Sequence, residues 1–359
     1  MSFPSTLCCY VTGHGYGHAV RTVQVLQALP ADVRVLVKTT HPAQFFAQEL
    51  AGRDVAVLSA EYDCGCVQSD SVTVLQQETL ARYQAIARQN EAVLSEEVAF
   101  LRREKVQCVV SDIPSFPLRA AREAGIPGVA VANFTWLDIY REYVQDAGDA
   151  RLLDGMAREY GQASLALITD LSLPETAAPF PHVKHVPLVA RPGANIRERL
   201  VKALGLPPQK KIGLLYVGVW GLNIGWLQVE KHTDWAFITL ELTLPPAANV
   251  YPLHASEWRY ADVAASVDTV LAKTGYGTVT GCIAAGVPLI YPPRDGFAEH
   301  AVLADGLTRW GGGVPIATQD FLAGNWANAL DSAQAARPDP HVFAINSAET
   351  IAAELGRFL

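Results

Sequence analysis

Short apolar runs alternate with amphipathic stretches along most of the chain. Residues 7–11 (LCCYV) form an unbroken apolar run of strand length. A glycine-rich turn follows at 13–17, and residues 19–29 then place Val20, Val23 and Leu26 at helical spacing. The same reading predicts strands over 33–37, 55–58, 106–111 and 128–132, and helices over 41–50, 79–103 and 117–124. Repeated strand–helix–strand units require a parallel sheet covered on both faces.

The pattern breaks where Pro174, Pro179, Pro181, Pro187 and Pro192 crowd one stretch. Prolines stiffen a connector, so this stretch reads as an interdomain linker. A second series then begins, with strands over 211–217, 235–240, 249–253, 269–272 and 288–291. Its helices fall over 259–265, 278–285 and 299–307, and 347–359 has an amphipathic helical pattern. The fold class expected is therefore α/β, two doubly wound Rossmann-like domains facing a cleft. Residues 1–190 make the first domain, 191–346 the second, and 347–359 a C-terminal helix.

A length of 359 residues fits two domains of ordinary size. Half the residues are apolar and the formal charge is −8, which argues against a broad nucleic-acid interface. Residues 212–229 carry no charge, but Gly218, Gly221, Asn223 and Gly225 make them a buried strand and a loop rather than a membrane span. The start lacks a basic segment before its first apolar run, so no secretory signal is expected. Of six cysteines, Cys8, Cys9 and Cys108 lie in strand-like runs, as expected of reduced thiols in a cytoplasmic protein. Cys64 and Cys66 have no second pair at zinc-site spacing, so no metal site is expected.

Candidate chemistry lies in the loops after strands. Gly13-His14-Gly15-Tyr16-Gly17-His18 directly follows the first. Its glycines, Gly13, Gly15 and Gly17, permit close backbone approach, and the next helix aims its N-terminus at the same space, which suits an anion. His14 and His18 are candidate general bases near neutral pH. The dinucleotide fingerprint fails, because His18 stands where glycine is needed and the second strand ends at Lys38 rather than an acid. No phosphate-loop or nucleophile-elbow motif occurs. Asp112 ends a buried strand, where it either orients a histidine or caps the helix after Pro114. In the second half, Lys273, Thr274, Gly275, Tyr276, Gly277 and Thr278 form another amide-rich turn before a helix. Downstream, Arg294 and Glu299 read either as ligand contacts, Glu299 toward sugar or ribose hydroxyls, or as a surface ion pair. Asn133 and Trp136, with Phe134, Tyr140 and Tyr143, form either an apolar acceptor wall or core.

Five segments carry a resemblance: YVTGHGYGHAVRTVQVL (10–26), DCGCVQSDSVTV (63–74), the run SDIPSFPLRAAREAGIPGVAVANFTWLDIYREY (111–143), KTGYGTVTGCIAAGVPLIY (273–291) and RDGFAEHAVL (294–303). In this order they resemble the family formed by the glycosyltransferase-like N-terminal half of plant L-arabinokinases and its free-standing bacterial relatives. No kinase half is among them, so sugar kinase activity is not implied. The resemblance implies the glycosyltransferase B fold, with the C-terminal helix crossing back onto the first domain. It also implies transfer of a sugar from a nucleotide sugar to an unknown acceptor. Attack by single displacement inverts the configuration, and helix amides that hold the diphosphate make a metal unnecessary, so inversion without a metal or other cofactor is expected.

In such transferases His18 matches the base, Asp112 its supporting acid, and the 273–278 turn the nucleotide-binding half. Asp63, Gln68 and Asp70 are expected to contact the acceptor. Two positions depart from the pattern: Gly281 stands where relatives commonly carry a ribose-binding Glu, and Leu75 where they tend to have an acid. Two other readings share the fold, a nucleotide-sugar 2-epimerase-like enzyme and a non-catalytic nucleotide-sugar-binding protein.

Overall fold

The computed structural model describes residues 5–69, 73–216, 224–240, 242 and 246–359. The chain divides into two compact units. One comprises residues 1–67, 74–189 and 346–359, the other 68–73 and 190–345.

In chain order the first unit is built from β1 (Thr6–Val11), α1 (Tyr16–Ala28), β2 (Arg34–Thr39), α2 (Ala43–Glu49), β3 (Val55–Ser59), α3 (Gln76–Arg103), β4 (Cys108–Asp112), α4 (Phe116–Ala124), β5 (Gly128–Ala132), α5 (Trp136–Arg141), α6 (Ala147–Tyr160), β6 (Leu165–Thr169) and β7 (Val183–Val186). Its seven strands are all parallel, in the order β3-β2-β1-β4-β5-β6-β7. Alternation along β1 explains why helices cover both faces. Leu7, Cys9 and Val11 join Val23 and Leu26 of α1 in one core cluster, whereas Cys8 and Tyr10 join Leu94, Val98 and Leu101 of α3 in another.

The second unit contains α7 (Arg197–Leu204), β8 (Lys211–Tyr216), α8 (Trp226–Val229), β9 (Trp235–Thr239), β10 (Val250–Pro252), α9 (Tyr260–Ala264), β11 (Thr269–Ala272), α10 (Tyr276–Ala285), β12 (Leu289–Tyr291), α11 (Glu299–Trp310), β13 (Gly313–Pro315), α12 (Thr318–Ala323) and α13 (Ala327–Ala335). Its six strands are again parallel, in the order β10-β9-β8-β11-β12-β13. The last helix, α14 (Ser347–Leu355), belongs to the first unit. There Ile351 and Leu355 share the core of α1, and Glu354 meets Lys184 of β7 at 2.6 Å.

The proline-rich stretch is not simply a linker. Its prolines flank β7, whose four residues (VKHV) contain none, so an edge strand fits between them. The chain passes to the second unit only after Val189. The helices α5 and α6 also lie where no element was expected. Thr135 and Asp138 start α5 with a reciprocal capping box, and Asp146 caps α6 by accepting from the amides of Gly148 and Asp149. Among the described residues, no helix is long and apolar enough to cross a membrane.

Candidate active site in the first unit

In open parallel sheets, ligands bind beyond the carboxyl ends of the strands, where neighbouring connections leave in opposite directions. In the first unit that point lies between β1 and β4. The loop after β1 carries the glycine–histidine turn, and β4 ends at Asp112.

The helix α1 starts at Tyr16, three residues earlier than the apolar spacing suggested. Gly15 is its N-cap, at φ 76°, a conformation that favours glycine. Gly17 and His18 therefore lie inside the first helical turn. Gly13 is tightly confined, because a Cβ there would meet Thr40 Oγ1 at 2.0 Å. No side chain caps α1 and its first turn holds no acid, so its amides suit an oxygen carrying negative charge.

His18 is buried, and its Nδ1 lies 2.8 Å from Asp112 Oδ1. Arg21, one turn further along α1, reaches the same carboxylate, Nη2 to Oδ1 at 2.6 Å and Nε to Oδ2 at 2.9 Å. Thr22 Oγ1 donates to Oδ2 at 3.2 Å. Burial by itself raises the Asp112 carboxyl, but the Arg21 guanidinium and the bond from His18 outweigh it and hold the group at about 2. Asp112 is thus an anion. His18 Nδ1 also lies 3.2 Å from Arg21 Nη2, but the contact to the anionic oxygen is the shorter, at 2.8 Å, and requires a proton between the two atoms, which sits on Nδ1. Nε2 is then the proton-accepting nitrogen of the ring. The helix-cap alternative for Asp112 does not hold: α4 begins after Ser115, and the carboxylate turns toward α1.

His14 has another environment. Its Nδ1 accepts from the Cys66 amide at 3.2 Å, and its ring meets Trp136 edge-on at 5.3 Å. With Nδ1 accepting from Cys66, the proton of a neutral His14 ring sits on Nε2.

Of the residues expected to contact an acceptor, Asp63, Asn133 and Trp136 turn inward. Asp63 is buried, and its Oδ1 accepts from Thr12 Oγ1 at 2.7 Å and from the Gly65 amide at 3.2 Å. Burial raises its carboxyl above the ordinary range, against the opposing pull of these bonds. Asn133 is fully buried and its Oδ1 accepts from Arg21 Nη1 at 2.7 Å. Trp136 is 1% exposed and stacks on Tyr140 with centroids 5.5 Å apart. The core reading of these aromatics therefore prevails. Gln68 is half-buried, and Asp70 lies outside the described residues.

Lys38 is also internal. Its Nζ lies 2.6 Å from both carboxylate oxygens of Glu97, which also accepts from the hydroxyls of Tyr62 and Tyr10.

In the second unit the corresponding point lies between β8 and β11. After β11 come half-buried Lys273, then Thr274 and the N-cap Gly275 of α10. The first turn of α10 holds Tyr276, Gly277 and Thr278 and no acid, and no side chain caps it. Thr274 Oγ1 pairs with His300 Nδ1 at 2.7 Å, joining this turn to α11. His300 is lowered first by burial and then by Arg294. Arg294 and Glu299 are both buried rather than a surface pair, and the Arg294 guanidinium lies 3.8 Å from the centre of the Phe297 ring. At Gly281 a Cβ would meet only Tyr260 Cε1, at 4.0 Å, so packing does not demand glycine there.

Sequence reasoning passed over Arg21 and His300. The signal for Arg21 was its position three residues after His18, which puts both on one helical face. His300 gave no comparable signal, because its partner Thr274 lies 26 residues away.

No family model matches the chain. It is 34% identical over 341 residues to the L-arabinokinase of Arabidopsis thaliana, an alignment covering 92% of this chain and 32% of that protein. The chain thus spans about a third of the length of that relative. Among solved structures it is similar to the calicheamicin glycosyltransferase, with a TM-score of 0.62 at 16% identity over 100% of this chain and 94% of that one. It is also similar to the glycosyltransferase SnogD from Streptomyces nogalater, with a TM-score of 0.57 at 21% identity over 99% of this chain and 100% of that one. A UDP-glucosyltransferase from Polygonum tinctorium matches with a TM-score of 0.63 at 16% identity, over 99% and 93% of the two chains. The chain therefore carries the glycosyltransferase B fold and, over nearly all its length, resembles one third of a plant L-arabinokinase.

Proposed function

We propose that the protein transfers a sugar from a nucleotide-sugar donor to an acceptor hydroxyl, by single displacement with inversion and without a metal. The observation that carries this reading is the His18 Nδ1–Asp112 Oδ1 contact of 2.8 Å at the carboxyl end of β1 and β4. Asp112 fixes the ring, and Nε2 takes the acceptor's proton as its oxygen attacks the anomeric carbon. The leaving nucleoside diphosphate is stabilised by the α10 N-terminus with Lys273. Glu299 and Arg294 complete the donor site in this reading. Support comes from the shared fold and from the uncapped, acid-free first turns of α1 and α10.

The test is a panel of nucleotide sugars, first for binding by calorimetry and then for release of nucleoside diphosphate. Binding of one nucleotide class and its loss in Lys273→Ala are expected. Isomerised nucleotide sugar formed without any acceptor favours an epimerase, and binding with no turnover under any acceptor favours a non-catalytic protein.

A further inference from the structure

Among the described residues, Tyr16 and Leu227 are the large apolar side chains left exposed, Tyr16 at 40%. Tyr16 is the first residue of α1, two before His18. Helical side chains lean toward the N-terminus of their helix, and α1 begins just past the carboxyl end of β1. The ring therefore stands where open parallel sheets bind their ligands.

This exposed ring is held in place. It lies against His41, with centroids 4.8 Å apart and planes tilted by 37°, and it meets Phe45 edge-on at 5.4 Å. Phe45 in turn meets the buried Phe46 edge-on at 5.2 Å. His41 and Phe45 belong to the segment after β2, and the His41 amide donates to Thr39 Oγ1 at 3.2 Å, which anchors that segment where β2 ends. A ring fixed beforehand loses little freedom when a ligand covers it.

The wall around Tyr16 is also uncharged. Residues 12–18 and 39–46 contain no Asp, Glu, Lys or Arg. Burial lowers the pKa of His41, and so does the nearby His18, against the pull of the Thr12 and Gly15 backbone, so the His41 ring is neutral at neutral pH. The same effect sets His41 between the Tyr16 ring and the neighbourhood of His18. Asp63, Asn133 and Trp136 are buried, whereas Tyr16 offers open aromatic surface beside the turn.

We propose that Tyr16, backed by His41 and Phe45, is the acceptor platform: an uncharged, hydroxyl-bearing ring lays its flat apolar face on Tyr16 and so brings a hydroxyl toward His18. Aromatic alcohols and sugars share that chemistry. The role as acceptor site rests on the transferase reading; the binding of such a ring at Tyr16 does not.

The experiment is fluorine NMR of the full chain labelled with 3-fluorotyrosine, with Tyr16→Phe assigning the Tyr16 signal. The probes are 2-naphthol, methyl β-glucopyranoside, the anionic 6-hydroxy-2-naphthoate and acyclic glycerol, each at millimolar concentration. The expected result is a saturable shift of the Tyr16 signal by one of the two uncharged rings and none by glycerol. Naphthol alone marks an aromatic acceptor, and the glucoside alone a sugar. In ligand-observed titrations Tyr16→Ala should weaken that binding by about tenfold, whereas Tyr16→Phe and Leu227→Ala should not. Thermal melts confirm that each variant is folded. No shift of the Tyr16 signal by either ring, or undiminished binding in folded Tyr16→Ala, overturns the proposal. Naphthoate binding as tightly as naphthol overturns the restriction to uncharged rings.

With a donor that turns over, Tyr16→Ala should raise the acceptor KM by about tenfold and leave nucleotide affinity as in the wild type. An unchanged acceptor KM overturns the acceptor role. Absence of turnover with every donor defeats the transferase reading, and with it the acceptor role, while the ring site is still decided by the fluorine spectra.

Discussion

Arg21 grips Asp112 through both carboxylate oxygens, at 2.6 and 2.9 Å, from one turn beyond the histidine that the same carboxylate orients. Asp112 is therefore neutralised before any substrate arrives. In the proposed mechanism its task is to set the direction and tautomer of His18.

The first prediction concerns that pair. Asp112→Asn leaves the Arg21 guanidinium buried without its counter-charge, and such a loss costs about 3–5 kcal/mol. Urea denaturation at neutral pH measures it. Arg21→Met alone should be destabilising as well, and the double variant should lose clearly less than the sum of the two. Additive losses would mean that the pair does not act as a unit.

Acid should loosen the first unit through Asp112. The folded-state value of about 2 lies below the ordinary 3.8, so the ionised group stabilises the fold above about pH 4. That stabilisation, about 2 kcal/mol, is lost as pH falls from about 4 through about 2. Denaturation midpoints of the wild type and Asp112→Asn should converge over this window.

Asp63 has the opposite sign. Its carboxyl is raised by burial, so the charged form penalises the fold above the ordinary Asp range, and the penalty is relieved as pH falls. Asp63→Asn keeps an acceptor for Thr12 and Gly65. Its Tm should exceed that of the wild type at neutral pH, and the gain should vanish below the ordinary Asp range. A lower Tm at neutral pH would show that the anion is needed.

Two glycines should respond in opposite directions to alanine. Gly65→Ala combines a positive φ with a Cβ 2.5 Å from His14, and should be destabilising. Gly281→Ala lies inside α10 with only Tyr260 Cε1 at 4.0 Å, and should stabilise by about 0.5–1 kcal/mol. Thermal melts of both variants check the pair.

The strand–helix alternation was legible wherever apolar runs were bounded by turn residues, as at β5 and β11, whose limits match the sequence reading. The edge strand β7 was hidden by flanking prolines, and α5 by its short, almost uniformly apolar face, which gives no helical period. In the candidate site, the meeting of His18 and Asp112 was anticipated because the turn leading to His18 follows β1 and Asp112 ends β4, its neighbour in the sheet. The carboxylate's second partner was not, since an arginine on a helix ordinarily reads as a solvated charge. Likewise, that Asp63 and Asn133 point inward depends on Thr12 and Arg21, contacts that no local pattern announces.

The most direct test of the account is a comparison of His18→Ala with the wild type on a nucleotide sugar that the protein binds. Calorimetry gives the affinity, and nucleoside diphosphate release in the presence of acceptor gives the rate. The account predicts nearly unchanged affinity and a rate lower by about 10²–10⁴-fold. Full release by His18→Ala, or loss of nucleotide affinity in it while Lys273→Ala binds normally, would contradict the assignment of base and donor site.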